Sequence, residues 1–281
     1  MKDSYFRYPS PSLSPYIKYY WILNTGTANI SPIQTIPTGC MHLVFHRENH
    51  LYFESGNAQP QSFIRGQLSI PDVLHSTNSL DMIAIVFNPL GMNLFFPFSM
   101  KMTYNQYIDI DALGDKDLVH LKEIVFNEEN ISICIHHIEN FFLQRMMNPD
   151  IHYKRIVGST QKIKEQPEIN VSHLANEACL GYRQFKRVFT SYVGMNPKEY
   201  IRVVRFQRTL YTLQHNPGME ISQLAYACGY YDHSHLVKDF KALSGYSPIQ
   251  YLRSRQPYST LFSNDCRLNL IASSHHSYQH R

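Results

Sequence analysis

The chain has 281 residues, of which 43% are hydrophobic and 13% aromatic, and its formal net charge is +4. This length gives room for two domains that each bury a core, and the composition excludes a disordered protein. We find neither a signal sequence nor an apolar run of about 18 residues, so we expect a cytoplasmic protein that makes no membrane contact. A reducing compartment is also indicated by the cysteines, which are odd in number, scattered and without a CxxC pair: Cys40, Cys134, Cys179, Cys228 and Cys266.

The charge is unevenly distributed along the chain. Between Lys154 and Arg255 there are 15 Lys and Arg against 7 Asp and Glu, a net of +8, whereas residues 1–153 carry 9 basic and 14 acidic residues, a net of −5. A basic part beside an acidic part is typical of a nucleic-acid-binding module joined to a domain with another role.

Residues 1–112 are predicted to form a β-rich domain. Three runs of β-branched and aromatic residues, 16–23, 42–45 and 82–87, are separated by Pro, Gly, Asn and Asp turn signals. Short strands between such turns indicate an antiparallel sandwich or small barrel, whose interior can hold one small ligand.

Three histidines in this domain, His42, His46 and His50, are candidate metal ligands by residue type. Their spacing of four suits a helix, but the segment is predicted to be a strand, where residues four apart lie roughly 13 Å from each other. We therefore expect satisfied polar side chains, with no metal and no cofactor. The close His-x-His pair with a carboxylate, which a cupin-type enzyme needs, is absent from this segment.

Residues 113–147 change to helical spacing. The apolar positions form two sets, Leu118, Leu121, Ile124 and Val125, then Ile131, Ile135, Ile138, Phe141, Phe142 and Met146. Two interpretations stay open: these helices cap the β-rich domain, or they form a homodimer interface. The turn signal Asn148-Pro149-Asp150 marks the expected domain boundary.

The C-terminal part contains one pattern twice. Its first half recurs at a spacing of 50: Val171, Ser172, Leu174 and Ala175 correspond to Ile221, Ser222, Leu224 and Ala225. Its second half recurs at a spacing of 51: Phe185, Phe189, Gly194, Pro197 and Tyr200 correspond to Leu236, Phe240, Gly245, Pro248 and Tyr251. Each copy is predicted to be a helix-turn-helix, with Ser222 as an N-cap and Gly229 in the turn of the second copy. A helix from Pro197 to about Gln214, roughly 27 Å long, would connect them.

The second copy also carries a family signature: Ala225, Gly229, Tyr230, Asp232, Ser234, His235, Phe240, Lys241, Gly245, Ser247, Pro248 and Tyr251. On these residues, 155–253 resemble the DNA-binding domain of the AraC/XylS family of bacterial transcription regulators. The chain departs from the family at Cys179, where a turn glycine is usual, at Gly181, where a serine is usual, and at Lys238, where arginine is frequent. Segments 11–21, 37–45 and 87–91 resemble the N-terminal domain of one subgroup, which implies a cupin-like sensor or regulatory domain.

By position in this family, the second helix of each unit is expected to read the DNA major groove. The predicted DNA-binding residues are Tyr182, Arg183, Gln184, Lys186 and Arg187 in the first unit and His233, Ser234, Val237, Lys238 and Lys241 in the second. Arginine can bind guanine, glutamine can bind adenine, and Val237 could touch a thymine methyl group. Asp232 and Ser247 are interpreted as caps, and Ser222 as a phosphate contact. The first unit has more side chains that can bind bases, so we expect it to contribute more of the DNA sequence specificity.

The sequence therefore predicts an α+β protein in four parts. An antiparallel β-rich, cupin-like barrel or sandwich spans 1–112, a helical segment 113–150, an all-α domain of two helix-turn-helix units 151–255, and a flexible tail 256–281. The predicted function is that of a transcription regulator, an activator, which binds double-stranded promoter DNA, contacts RNA polymerase, senses a small-molecule effector and forms a homodimer. One alternative is a regulator whose N-terminal domain only dimerises or binds protein. A remote alternative is a cupin-type enzyme with a DNA-binding appendage.

Overall fold

A computed structural model describes residues 3–26, 32–76 and 78–253. The chain order is β-rich first and helical afterwards, as predicted. The tail expected over 256–281 lies outside the described residues. Within the described ranges, no helix is both long and apolar enough to cross a membrane.

The N-terminal strands form two antiparallel sheets. The larger sheet has the order β1-β2-β8-β4-β6-β9 and the smaller one β3-β7-β5. The strands are β1 (Asp3–Arg7), β2 (Ile17–Asn24), β3 (Ile33–Thr35), β4 (His42–His46), β5 (Tyr52–Phe53), β6 (Ser62–Arg65), β7 (Asp72–His75), β8 (Asp81–Phe87) and β9 (Tyr107–Asp109). The three runs predicted from the sequence are β2, β4 and β8, which lie side by side at the centre of the larger sheet.

Both faces of the larger sheet are buried. Tyr20 and Ile22 of β2 face one core, which is completed by two helices, α1 (Lys116–Asn127) and α2 (Ile131–Arg145). Tyr19 and Trp21 of the same strand face the smaller sheet. A sheet that is covered on both sides has near-continuous apolar strands, which is why the predicted runs show little alternation. Helices α1 and α2 therefore cap the sheet; the homodimer interface stays a prediction.

The C-terminal part contains the two predicted helix-turn-helix units. The helices are α3 (Ile151–Glu165), α4 (Val171–Glu177), α5 (Tyr182–Val193), α6 (Pro197–His215), α7 (Ile221–Ala227), α8 (His233–Ser244) and α9 (Pro248–Arg253). Helices α4 and α7 begin 50 residues apart, and α5 and α8 begin 51 apart, so the extra residue lies in the second turn. Helix α6 begins at Pro197 as predicted, with Asn196 as its N-cap.

The N-cap prediction for Ser222 is wrong. Helix α7 begins two residues earlier than an N-cap at Ser222 requires, at Ile221, and the extended N-cap residue is Glu220, which makes no side-chain capping bond. Ile221 packs against the domain core as the first helical residue, which moves the cap position off the serine. Ser222 is exposed in the first turn.

The two parts of the chain share one hydrophobic core. Ile36, Leu90 and Leu94 from the β-rich part belong to the same buried cluster as the core residues of α3 to α9. Polar contacts cross the same boundary: the side chain of Gln207 donates to the carbonyl of Pro37 at 2.5 Å, and the Tyr104 hydroxyl donates to Glu199 Oε1 at 2.8 Å. Sheet and helix-turn-helix units are thus fixed against each other.

Candidate nucleic-acid interface and interior cavity

Helices α5 and α8 are amphipathic and present one polar face each. Phe185 and Phe189 of α5, like Leu236 and Phe240 of α8, are fully buried and hold their helices against α6 and the first helix of each unit. Both helices end at a glycine with left-handed backbone, Gly194 and Gly245, which glycine adopts without steric cost.

The two helices begin differently. Asp232 caps α8 by accepting a hydrogen bond from the backbone N–H of His235 at 2.7 Å. The N-cap of α5 is Gly181, which has no side chain to offer, so one more backbone donor at this helix start is open to a phosphate. The turn before α5 contains Cys179 with φ of +52°, in the conformation that Gly229 adopts at +77° in the second unit.

The first unit exposes all five of its predicted DNA-binding residues. They lie on the face of α5 opposite the buried phenylalanines: Tyr182, Arg183, Gln184, Lys186 and Arg187. The ammonium of Lys186 stands over the ring of Tyr182, 5.7 Å from its centroid. This face combines three cations with two flat polar side chains, which suits both phosphate contact and base reading.

The second unit exposes four of its five predicted residues, and Val237 is half-buried between them. They line one open concave surface with Ala242: His233, Ser234, Val237, Lys238 and Lys241. Only two of these residues are permanent cations, so this surface is less basic than that of α5. The geometry brings each predicted set together on one helix face; DNA contact by these residues stays a prediction.

Helix α6 holds the two units in register. Its 19 residues span about 28 Å, somewhat less than the 34 Å or so between successive major-groove faces on one side of a duplex. Arg202 Nε donates to the buried Asp239 of α8 at 2.7 Å. Arg205 donates to the Gly229 carbonyl at 3.3 Å and lies 5.0 Å from the centroid of the Tyr230 ring. These two arginines therefore connect α6 to the second unit.

A second candidate site lies between the two sheets. The cavity volume is about 40 Å³, and the cavity has a mouth towards solvent. Its walls are mainly apolar, with Trp21, Val44, Phe63, Leu74 and Met82 among them. The polar lining residues are Thr35, His42, His46, Gln59, Arg65 and Tyr107. No effector-binding residue could be predicted from the sequence, and no spacing signal connects these six, because they come from four different strands and a loop.

One end of the cavity carries a positive charge. Arg65 is only 5% exposed, and its Nη2 faces His42 Nε2 at 3.4 Å. Burial, assisted by the charge of Arg65, holds the pKa of His42 well below its usual value, so this imidazole is neutral. Because a guanidinium can only donate, His42 Nε2 accepts and its proton resides on Nδ1. Beside them, Tyr107 donates to Asp72 Oδ2 at 2.6 Å.

The other end offers a hydrogen-bond acceptor. His46 is fully buried, and its Nε2 lies 3.2 Å from Gln59 Oε1. Since that amide oxygen only accepts, Nε2 carries the proton and Nδ1 has a free lone pair. Burial lowers the pKa of His46 to about 4, so the ring stays neutral at pH 7. Among the described atoms, Nδ1 has no hydrogen-bond partner.

His42 and His46 lie on strand β4, in agreement with the strand interpretation of this segment. In the described ranges, no group of three His, Cys, Asp or Glu side chains converges as a metal site requires.

Comparison with known proteins agrees with this architecture. Residues 174–254 match a family model described as a helix-turn-helix domain, and residues 6–109 match a domain of unknown function (DUF6597). An HTH-type transcriptional regulator of Haemophilus influenzae is 24% identical over 188 residues, which cover 66% of this chain and 57% of that protein. The Msm operon regulatory protein of Streptococcus mutans is 24% identical over 156 residues, which cover 54% of this chain and 56% of that protein. The chain thus spans little more than half the length of these relatives.

Among solved structures, the unsaturated fatty acid bound wild-type ToxT of Vibrio cholerae gives a TM-score of 0.45 at 13% identity, covering 83% of this chain and 94% of that one.

Two helix-turn-helix units joined by one long helix, following a β-rich domain, define a double helix-turn-helix protein of AraC type. Residues 174–254 thus belong to a helix-turn-helix domain of AraC type, and the chain is similar to helix-turn-helix transcription regulators.

Proposed function

We propose that this protein regulates transcription by reading two successive major-groove segments of promoter DNA with α5 and α8. The observation that carries the proposal is the placement of the ten predicted residues, which lie together on the outer faces of two helices whose inner faces are buried in one core. A rigid α6 sets the spacing between them. The resemblance of residues 155–253 to the AraC/XylS family extends the proposal to activation through RNA polymerase.

A binding selection on genomic fragments at about 150 mM salt tests this function. We expect a recovered site with two short sequence blocks one helical turn apart. Retention that has no common sequence and vanishes as the salt concentration rises would contradict base reading, because it would reflect phosphate attraction alone. Lys116→Ala is the control for alanine substitutions on α5 and α8, since this exposed lysine lies on α1 and not on the proposed interface.

The second part of the proposal is that the N-terminal domain senses an effector in the cavity between its sheets. A mostly apolar cavity with a few convergent polar groups is typical of small-molecule sites. Strand β3 supports a regulatory role, because Thr35 lines the cavity while Gln34 contacts α8. A metabolite screen by thermal unfolding tests this, since a bound effector raises the midpoint by mass action. Metal retained by the purified protein would favour the cupin-type enzyme instead.

A dimerising role of the N-terminal domain has its own support. Helix α2 leaves Ile133 and Leu143 about 40% exposed to solvent. We propose that this exposed side of α2 forms a homodimer contact. Leu143→Glu should then lower the molecular mass measured by sedimentation to that of the monomer, while Gln144→Glu, on an exposed neighbouring residue, should leave it unchanged. Equal masses for both variants and the unaltered protein would exclude this face.

A further inference from the structure

The turn of the second helix-turn-helix unit contains one residue more than the turn of the first, and the structure identifies it as Tyr231. The two turns correspond as far as Leu180 and Tyr230, because each of these residues donates its backbone N–H to a carbonyl of the preceding helix, at 3.0 and 2.9 Å. The first unit then continues directly to the N-cap Gly181, whereas the second unit has Tyr231 before its N-cap Asp232.

The inserted tyrosine is exposed to solvent. Its side chain is 94% exposed, whereas its neighbour Tyr230 is buried beside the guanidinium of Arg205. Tyr231 lines an open concave surface whose permanently charged residues balance, two glutamates against two arginines: Glu165, Glu168, Arg205 and Arg208. This surface as a whole therefore gives no electrostatic reason to bind DNA, and the position of Tyr231 next to the start of α8 distinguishes it from the other lining residues.

The start of α8 offers less to a phosphate than the start of α5 does. The carboxylate of Asp232 accepts the hydrogen bond of the His235 backbone N–H, whereas Gly181 leaves the start of α5 without a side-chain cap. In helix-turn-helix proteins the N-terminal residues of the second helix contact base edges. The residue that precedes this helix then lies at the wall of the groove, which is formed by phosphates. Tyrosine hydroxyls are among the groups that donate to phosphate oxygens in protein–DNA complexes.

We propose that Tyr231 is a further DNA-binding residue, whose hydroxyl donates to a phosphate at the edge of the groove that α8 enters. The contact supplies a donor at the helix start, where Asp232 occupies a backbone N–H, and it adds to a face with only two permanent cations, Lys238 and Lys241. A phosphate contact positions the helix and selects no base. The assignment rests on the proposed binding of DNA by α8 and adds a residue that lies outside its helical spacing.

Titration of the full chain with the selected operator, over a range of salt concentrations, tests the assignment. Tyr231→Phe removes only the hydroxyl, so it should weaken binding about tenfold, to the operator and to a scrambled duplex alike. The slope of log affinity against log salt concentration should stay unchanged, because a phenol carries no charge at neutral pH and releases no counterion. Tyr231→Lys should make this slope steeper by about one, since the added cation would neutralise a phosphate.

Tyr226 is the matched control. It is 88% exposed and lines the same concave surface, but it belongs to α7 and not to the start of α8. Tyr226→Phe and Tyr226→Lys should therefore leave both the DNA affinity and the salt dependence unchanged. Because both tyrosines are exposed, none of the four substitutions removes a core contact, and circular dichroism checks that each variant is folded.

The assignment is overturned if Tyr231→Phe binds DNA as tightly as the unaltered protein, if Tyr231→Lys leaves the slope unchanged, or if the variants of Tyr226 match those of Tyr231. Loss of transcription activation without loss of DNA affinity would assign Tyr231 to a protein contact instead.

Arg183→Ala, measured in parallel, separates failure of this assignment from failure of the proposed function. Weaker operator binding by Arg183→Ala, with unchanged binding by the variants of Tyr231, would retain base recognition and exclude only the Tyr231 contact. An unaltered protein that selects no DNA site would refute the proposed function, and the assignment with it.

Discussion

The side chain of Gln34 donates a buried hydrogen bond to the main-chain carbonyl of Ser244, the last residue of α8. Gln34 belongs to the short strand β3, and the next residue, Thr35, lines the cavity. Two residues further on, the carbonyl of Pro37 accepts a hydrogen bond from the side chain of Gln207 in α6. A five-residue segment, 33–37, thus contacts the cavity between the sheets and both α6 and α8.

Removal of this connection should destabilise the protein. Gln34→Leu leaves the buried Ser244 carbonyl without this donor, which should lower the free energy of unfolding by about 1–3 kcal/mol. Denaturant titration measures the change. Gln223→Leu, on an exposed residue of α7, should stay within about 0.5 kcal/mol of the unaltered protein. Equal effects of the two variants would show that the contact with Ser244 contributes nothing.

The turn of the first helix-turn-helix unit should be improved by glycine. Cys179 has a φ of +52°, a conformation that costs L-residues about 1–2 kcal/mol, so Cys179→Gly should raise the free energy of unfolding by about 0.5–1 kcal/mol after the greater flexibility of unfolded glycine is included. The reciprocal change, Gly229→Ala, should lower it, because φ is +77° there and an added Cβ would lie 3.3 Å from Glu168 Oε2. Thermal unfolding of both variants tests the pair; a destabilised Cys179→Gly would contradict the account.

Stability should depend on pH through Asp115. This residue caps α1 and pairs with Arg145 of α2, which itself donates to the Phe95 carbonyl. Burial raises the pKa of Asp115, but the hydrogen bonds from Arg145 and Leu118 outweigh it, and the pKa lies below its usual value. A depressed carboxyl pKa stabilises the fold above the unfolded-state value of about 3.9, and this contribution is lost as the pH falls through the folded-state value.

Asp115→Asn keeps a capping oxygen but removes the charge. The variant should therefore lower the free energy of unfolding by about 1 kcal/mol at pH 7. This difference from the unaltered protein should shrink towards zero in acid. Urea titrations of both proteins between pH 7 and pH 3 measure it. A difference that does not change with pH would indicate a loss of packing instead of charge.

Helices α5 and α8 should differ in their contribution to the sequence specificity of DNA binding. If the arginine binds a guanine, Arg183→Ala and Arg187→Ala should each weaken the free energy of binding to the selected operator by about 1–3 kcal/mol. Each should also relax the sequence preference at that base. Lys238→Ala should weaken binding to all DNA sequences nearly uniformly. It should also lower the slope of log affinity against log salt concentration by about one. Competition binding against scrambled operators decides between these outcomes. A larger loss of discrimination with Lys238→Ala would reverse the proposed order of the two units.

Sequence patterns predicted the helical part of the fold better than the sheets. The repeat aligned α4 with α7 and α5 with α8, because helix periodicity, glycine turns and Pro197 are local signals. Of the nine strands in the described ranges, β2, β4 and β8 could be predicted from local sequence patterns. The others have two to five residues each and are fixed by pairing with distant parts of the chain, which leaves little local signal.

The two candidate sites also differ in how far local sequence patterns predict them. The outer faces of α5 and α8 could be read from helical spacing, and the structure exposes those residues. The cavity could not, because Arg65 and His42 come together only through the antiparallel pairing of β4 with β6. The histidine spacing was considered for metal binding, whereas the structure gives each of the two strand histidines a different polar neighbour, Arg65 for one and Gln59 for the other.

The core shared by Ile36, Leu90, Leu94 and the C-terminal helices makes this protein a single folding unit. The domains should melt in one cooperative transition, and a fragment that begins at residue 151 should expose the apolar surface that these three residues cover. The same contact limits what a ligand of the cavity could do: to separate α5 and α8 from the β-rich domain, it must bind the open form more tightly than the closed one by the full free energy of that contact. A ligand without such a difference would stabilise the protein and leave DNA recognition unchanged.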